Sequence, residues 1–180
     1  MRTIHLTILV FLFASAGLAQ GKATLAEYAV FSAVLGNKGP FVIVRTIEAN
    51  DERGGGSDLK VRLPEILPDT LSDFLKQEKK GVTLESKFQA EMRVTLIDQK
   101  DLSEFFRDDL EKGWKAFYEQ FPGSDGSFSF SRVGFSKDGN QALVSVGQVC
   151  GSLCGTGYFY LLTKGPNGWQ VTNKSMTWVS

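Results

Sequence analysis

The chain has 180 residues, of which 20 are basic and 20 acidic, so its formal net charge is zero. A length of this order favours a single domain, and 42% hydrophobic residues are enough to form a core. Because neither sign of charge forms a long run, the sequence gives no support to binding of nucleic acid or of an anionic membrane surface.

The N-terminus has the pattern of a secretory signal peptide over residues 1–19. Arg2 supplies a positive charge, Ile4–Phe13 is an apolar run, and small residues follow it. Such a run followed by small residues is typical of a signal peptidase substrate. We expect cleavage after Ala19, with a cut after Ala16 as the alternative.

Removal of this segment would also remove His5, the single histidine. The remaining chain, residues 20–180, then lacks the imidazole of a Ser-His-Asp triad and of a histidine metal site. It is predicted to be one globular domain, secreted or periplasmic, with no membrane span, because the apolar run is shorter than the roughly 20 residues that a span needs. We assign it no catalytic, cofactor-binding or metal-binding residue.

The first half of this domain alternates helices and strands. Thr24 and Glu27 have the spacing of a capping box, which predicts a helix that ends at Gly36. A strand is predicted at Phe41–Ile47. Asn50–Asp58 contains three consecutive glycines and no apolar residue. Since it lacks the spacing of a phosphate-binding loop, we interpret it as an exposed connector.

Two more helices and a strand follow. A helix is predicted after Pro68, with Asp69 as its N-cap and Lys79–Lys80 at its end, and a strand is predicted at Phe88–Ile97. The longest helix is predicted from Asp101 to Phe121, because apolar residues recur there at intervals of three and four. These residues are Leu102, Phe106, Leu110, Trp114, Phe117 and Phe121. We expect this stripe, with Trp114 near its middle, to lie in the core.

Two carboxylates on this helix, Glu104 and Asp108, lie four residues apart. Two carboxyl groups that flank a glycosidic bond can hydrolyse it, so the pair is a candidate active site. Arg107 and Lys112 are interleaved with them, however, which is typical of a solvated helix surface. We favour the solvated surface.

Residues 127–180 are predicted to form an antiparallel meander of four strands. Turn sequences occur at Asp138–Asn140 and Pro166–Gly168, and a bulge is expected near Ser131–Arg132, where the apolar positions change parity. Together the elements predict an α+β fold, in which about three helices pack on one face of an antiparallel sheet. Cystatin-like and NTF2-like folds have a similar layout, which carries no function by itself.

The only two cysteines, Cys150 and Cys154, lie in a glycine-rich hairpin tip at Val149–Gly157. Glycines make a tight turn easy there, so in an oxidising compartment we expect the two thiols to form a structural disulfide. A redox pair and a pair of free thiols are the alternatives. The spacing C-x-x-x-C differs from the C-x-x-C of thioredoxin-like proteins.

Six segments carry a resemblance to known sequences: Glu27–Ser32, Trp114–Ser124, Ser131–Phe135, Ala142–Val144, Cys150–Tyr158 and Met176–Ser180. They resemble a family of uncharacterised secreted bacterial proteins, and they cover much of the chain after the signal segment. The resemblance implies a bacterial, exported protein and assigns no activity. Our leading hypothesis is a non-catalytic domain that binds a protein or an envelope component. The alternatives are a carboxylate-based glycan hydrolase and a thiol redox protein.

Overall fold

The structure is a computed structural model that describes residues 21–36, 39–48, 58–77 and 81–180. The predicted signal peptide, residues 50–57 of the glycine-rich connector and Lys79–Lys80 lie outside these residues. The described chain contains five helices: α1 (Leu25–Leu35), α2 (Leu59–Arg62), α3 (Pro68–Gln77), α4 (Gln99–Phe105) and α5 (Leu110–Gln120). It contains ten strands: β1 (Gly21–Lys22), β2 (Phe41–Val44), β3 (Thr46–Ile47), β4 (Val82–Thr83), β5 (Val94–Ile97), β6 (Ser127–Phe130), β7 (Gly134–Phe135), β8 (Gln141–Gly151), β9 (Cys154–Gly165) and β10 (Gly168–Val179).

A seven-stranded sheet organises the described chain, with the order β10-β9-β8-β6-β2-β5 and with β7 paired to β8. Strands β6, β8, β9 and β10 are antiparallel neighbours, which confirms the predicted meander. β2 pairs in parallel with both β5 and β6, so the sheet is mixed rather than wholly antiparallel. A small second sheet has the order β1-β4-β3. The α+β class is confirmed, whereas the likeness to cystatin-like and NTF2-like folds stays a prediction.

Helices cover both faces of the large sheet, which corrects the expectation of one covered face. Successive side chains of a strand point to opposite faces. Ile43 of β2 therefore packs in a cluster with Phe31 of α1, and the neighbouring Val42 packs with Phe117 of α5. On the same side as Val42, Leu143 of β8 packs with α2 and α3. We predicted about three helices, and the structure has five among the described residues. The difference arises because α2 was not predicted and because the longest predicted helix is divided into two.

The capping box predicted at Thr24 and Glu27 is present and begins α1, and Gly36 ends this helix with a φ of 67°. The same Glu27 also forms a buried ion pair. Arg132 Nε donates to Glu27 Oε1 at 2.6 Å, and Arg132 Nη2 donates to Oε2 at 3.3 Å. The bulge predicted at Ser131–Arg132 is seen as the gap between β6 and β7, where Arg132 turns inward to reach this carboxylate.

The predicted single helix from Asp101 to Phe121 is wrong, because α4 and α5 are separate helices. Asp109 begins α5 as its N-cap, and its side chain accepts a hydrogen bond from the Lys112 amide at 2.8 Å. The two helices approach closely at Gly113. A Cβ at that position would overlap the carbonyl oxygen of Phe105 and lie 2.7 Å from Cδ1 of Phe106.

The apolar stripe is only partly buried as a result of this division. Phe117 is fully buried in the cluster on β2, whereas Trp114 is half-buried and packs against the outside of that cluster. Leu110 is 56% exposed. The prediction that Trp114 is a core residue is therefore wrong. Phe117, three residues later on the same helix, is the core residue.

Two predicted strands are shorter than expected. The strand at Phe41–Ile47 is divided at Arg45, because the next residues turn to pair with β4 instead of β5. Of the segment Phe88–Ile97 only its last four residues form β5. Phe88 packs edge-on against the ring of Tyr28, with 5.1 Å between ring centroids, and so belongs to the core over α1.

Helix α3 binds the backbone of β7 through acidic side chains. It begins at Pro68, so Asp69 lies inside the first turn and is not the predicted N-cap. Asp73 Oδ2 accepts from the Phe135 amide and Asp69 Oδ2 from the Lys137 amide, each at 2.9 Å. The amide of the intervening Ser136 donates in the other direction, to Gln141 of β8. The side chains of α3 thus occupy the place of a further strand beside β7.

Glu85 links three segments through its two carboxylate oxygens. Lys22 Nζ lies 2.5 Å from Oε1 and Lys87 Nζ lies 2.7 Å from Oε2. Hydrogen bonds from Lys22 and then Lys87 lower the pKa of Glu85 from 4.5 to about 2. A carboxyl whose pKa is lower in the folded state stabilises the fold fully above its ordinary pKa, and this contribution is lost as the pH falls from 4.5 towards 2.

We therefore expect Glu85→Gln to reduce the loss of stability on acidification. The measurement is the urea unfolding midpoint at several pH values from about 5.5 to about 2.5, a range that brackets the ordinary carboxyl pKa. The midpoint of the variant should fall less than that of wild type. Glu91→Gln is the matched control, because Glu91 is exposed and forms no ion pair with a described residue. An acid dependence that is the same in the Glu85 variant and in wild type would contradict the expectation.

Candidate functional site

Two depressions lie on opposite sides of α4. The first is an open cleft of about 920 Å³ between β5 and the helices α4 and α5. Five carboxylates line it: Asp98, Asp101, Glu104, Asp108 and Asp109. We call it the acidic cleft. The structure thus places the predicted pair, Glu104 and Asp108, in one cleft with three acidic residues that the sequence analysis missed. Residues 98, 101, 104 and 108 are spaced at three or four, so a count of helical periodicity of charge would have found them.

The carboxylates of the acidic cleft are solvated or paired. Arg45 Nε donates to Asp98 Oδ1 at 2.9 Å, and Arg107 forms an ion pair with Glu104. Both Glu104 and Asp108 are exposed. A general acid for glycoside hydrolysis needs an apolar environment that keeps its carboxyl protonated near neutral pH. These two carboxylates have open, charged surroundings, which favour a solvated surface.

The second depression is a groove of about 520 Å³ between α4, α5 and the end of the β8–β9 hairpin. Its apolar walls are Leu102, Phe106, Leu110, Trp114 and Val149, and its polar walls are Gln99, Ser103, Ser127, Ser152 and Ser180, with Gly151 between them. None of these lining side chains is charged. We call this depression the neutral groove.

The division of charge between the two depressions follows from the helix period. Asp101 and Glu104 lie on one face of α4, and Leu102 and Ser103 point toward the opposite side. Helix α4 therefore has an acidic face toward the cleft and an uncharged face toward the groove, and this alone accounts for the different charge of the two depressions. The break before Asp109 then turns α5 so that Trp114 closes the wall of the neutral groove.

The hairpin tip that borders the groove is shorter than the predicted Val149–Gly157. Strand β8 continues to Gly151 and β9 begins at Cys154, so that two residues form the turn. The sulfur atoms of Cys150 and Cys154 lie 1.92 Å apart, at disulfide distance, and their Cα atoms are 5.0 Å apart. A strand follows Cys154 rather than the helix of a thioredoxin-like site, which weakens the redox alternative.

Tyr118 connects this tip to α5, a contact that the sequence analysis missed. Its hydroxyl donates to the carbonyl oxygen of Cys150 at 2.8 Å. Burial, assisted by the negative charge of Asp125, raises the pKa of Tyr118 above its usual value of 10.0. The phenol therefore remains a donor at neutral pH and holds the hairpin against the helix.

The described chain contains no group of three or more His, Cys, Asp or Glu residues arranged to hold a metal ion. In the same part of the chain, no helix has the length and apolar character needed to cross a bilayer. No family model, curated protein or solved structure matches the sequence. The groove and the cleft are therefore the features of the molecule that bear on its function.

Proposed function

We propose that the protein is an exported, non-catalytic binding domain that holds an uncharged ligand in the neutral groove. The observation that carries the proposal is the groove itself. Its volume of about 520 Å³ falls in the range of small-molecule sites, which are mostly apolar with a few polar groups. The signal-peptide pattern supports export, and two cysteines at disulfide distance suit an oxidising compartment.

The rim of the groove supports a binding role. Leu110 is 56% and Val149 39% exposed, and the indole of Trp114 is half-buried beside them. Covering large apolar side chains that are in contact with water lowers the free energy, so these side chains favour ligand binding. Tyr118 and the cysteine pair fix the opposite wall, so that little conformational entropy is lost on binding.

We expect the uncharged dye Nile red to bind the wild-type domain with a rise in fluorescence, and Leu110→Asp to weaken this binding at least fivefold. The carboxylate would introduce charge into an apolar wall, where its desolvation opposes ligand binding. Fluorescence titration of residues 20–180 measures the effect.

Leu25→Asp is the matched control. Leu25 and Leu110 are each the first residue of a helix and are 72% and 56% exposed. Both substitutions add the same charge, at a position where a helix favours it. Equal weakening in the two variants, or no dye binding by wild type, would contradict the proposal.

A carboxylate-based hydrolase acting on a glycan is the second candidate. The shared position of Glu104 and Asp108 in the acidic cleft favours it, and their exposure opposes it. The assay is release of reducing ends from β-1,4-linked glucose and N-acetylglucosamine hexamers. A hydrolase of this kind should lose activity in Glu104→Gln and in Asp108→Asn, with unchanged unfolding midpoints.

A further inference from the structure

Trp178, near the end of β10, lies flat on the sheet surface. A Cβ at Gly157 would overlap its Nε1 atom, a Cβ at Gly155 would lie 2.8 Å from Cζ3, and a Cβ at Gly147 would lie 3.5 Å from Cζ2. Atoms of both rings of the indole thus cover glycines of β9 and β8. Only residues without side chains leave room for the indole in this position.

The outer face of this indole is open. One face rests on glycine backbone, yet 42% of the Trp178 surface remains exposed. No aromatic ring of the described residues packs against it. A flat aromatic surface of this kind offers apolar contact area without the rotational freedom that a projecting side chain loses on binding.

Three side-chain hydroxyls lie beside the glycines that the indole covers. Ser129 Oγ lies 2.8 Å from a Cβ placed at Gly147, Ser180 Oγ lies 2.6 Å from one placed at Gly155, and Thr177 Oγ1 adjoins Gly157. None of the three side-chain hydroxyls forms a hydrogen bond with a described residue. Each hydroxyl can donate one hydrogen bond and accept two, so the indole has a rim of free polar groups.

The indole adjoins the neutral groove, because Ser180 belongs to both. The combined surface has an open aromatic plane, unpaired hydroxyls and a groove that no charged side chain lines. Inside the groove a charged ligand would find no side chain of opposite charge. A ligand that is uncharged, has a flat apolar face and carries groups that both donate and accept hydrogen bonds matches all three properties.

We propose that Trp178 is a stacking platform for a pyranose ring of an uncharged saccharide whose neighbouring units enter the neutral groove. The inference rests on the proposed function, for which it names the ligand class. β-1,4-linked glucose or N-acetylglucosamine suits the site, because equatorial substituents leave only C–H groups on the ring faces. A proline-rich peptide also stacks on indole, but its backbone offers carbonyl acceptors and no hydroxyl donors. It therefore cannot donate hydrogen bonds to the serine and threonine hydroxyls beside the indole, whereas a saccharide can.

The test is calorimetric titration of residues 20–180 with the hexamers of β-1,4-linked glucose and of N-acetylglucosamine. We expect at least one of them to bind wild type, Trp178→Ala to weaken that binding at least tenfold, and Trp178→Phe to retain part of it. Val171→Ala is the control for loss of an apolar side chain from the same strand, because Val171 and Trp178 are 41% and 42% exposed.

A second pair of variants leaves the indole in place and changes its support. In Gly157→Ala the added Cβ would lift the indole from the sheet, so saccharide binding should weaken at least tenfold. Gly165→Ala is its control on the same strand, because the nearest atom to a Cβ there is 4.0 Å away and binding should be unchanged.

The dye and saccharide titrations together separate saccharide binding at Trp178 from ligand binding in the neutral groove. Nile red binding that Leu110→Asp weakens, together with no binding of either hexamer, would overturn the saccharide proposal and leave the groove as a site for other uncharged ligands. Binding of a proline decamer that Trp178→Ala abolishes, with no hexamer binding, would also overturn it. Hexamer binding that is equal in wild type and Trp178→Ala would show that Trp178 is not the platform.

Discussion

Replacing Arg132 by Met should lower the free energy of unfolding by about 3–5 kcal/mol, the usual cost of removing one partner of a buried ion pair. Glu27 is 1% exposed. Its Oε1 accepts from Arg132 Nε at 2.6 Å and from the Val133 amide at 3.3 Å, and its Oε2 accepts from the Thr24 amide at 2.9 Å. Without Arg132 the carboxylate would remain buried without its counter-charge.

Urea unfolding of the variant measures this loss, and Arg107→Met is the matched control. Arg107 pairs with Glu104 three residues away, and their side chains are 65% and 46% exposed. Exposed pairs contribute only about 0–1 kcal/mol. The double variant Glu27→Gln with Arg132→Met should be less destabilised than the sum of the single variants, because the charge is then removed with its partner. A loss below about 1 kcal/mol for Arg132→Met would contradict the expectation.

Phe117→Ala should destabilise the domain by about 3–5 kcal/mol, as truncation of a large core side chain does. Phe117 is fully buried, and its ring centroid lies 4.9 Å from that of Phe121, 5.3 Å from Trp114 and 5.7 Å from Phe105. The residue joins α5 to both α4 and β2. Its loss would leave a cavity between them.

Trp114→Ala is the informative comparison, because Trp114 belongs to the same cluster but is half-buried. We expect it to destabilise the domain less than Phe117→Ala does, although tryptophan is the larger side chain. Urea unfolding of the two variants gives the order. If Trp114→Ala is the more destabilising, the indole supports the fold and the neutral groove is not an open site.

Elements made by short-range contacts were predictable from the sequence. The capping box needs only Thr24 and Glu27, three residues apart, and the turns of the meander need only their own glycines and asparagines. The second role of Glu27 was not predictable, because Arg132 lies 105 residues further along the chain. No local pattern shows that the carboxylate which caps α1 also neutralises a buried guanidinium.

The division of α4 from α5 shows a limit of periodicity. Apolar residues continue at intervals of three and four across the break, so the count alone favours one helix. Asp109, an N-cap residue type inside the run, was the local sign of a new helix start. The candidate pair Glu104 and Asp108 was visible because both residues belong to one short segment. The neutral groove was not, since its walls come from α4, α5, β6, β8 and Ser180.

The carboxylates that α3 places against β7 also bear on self-association. A strand edge with free amides can recruit a strand from another molecule. The amides of Phe135 and Lys137 are already bound by Asp73 and Asp69, so another molecule can pair with β7 only after α3 has left. The Lys137 amide holds the pKa of Asp69 below its usual value of 3.8. This carboxylate stays ionised in mild acid, so acidification alone leaves that part of the barrier to aggregation in place.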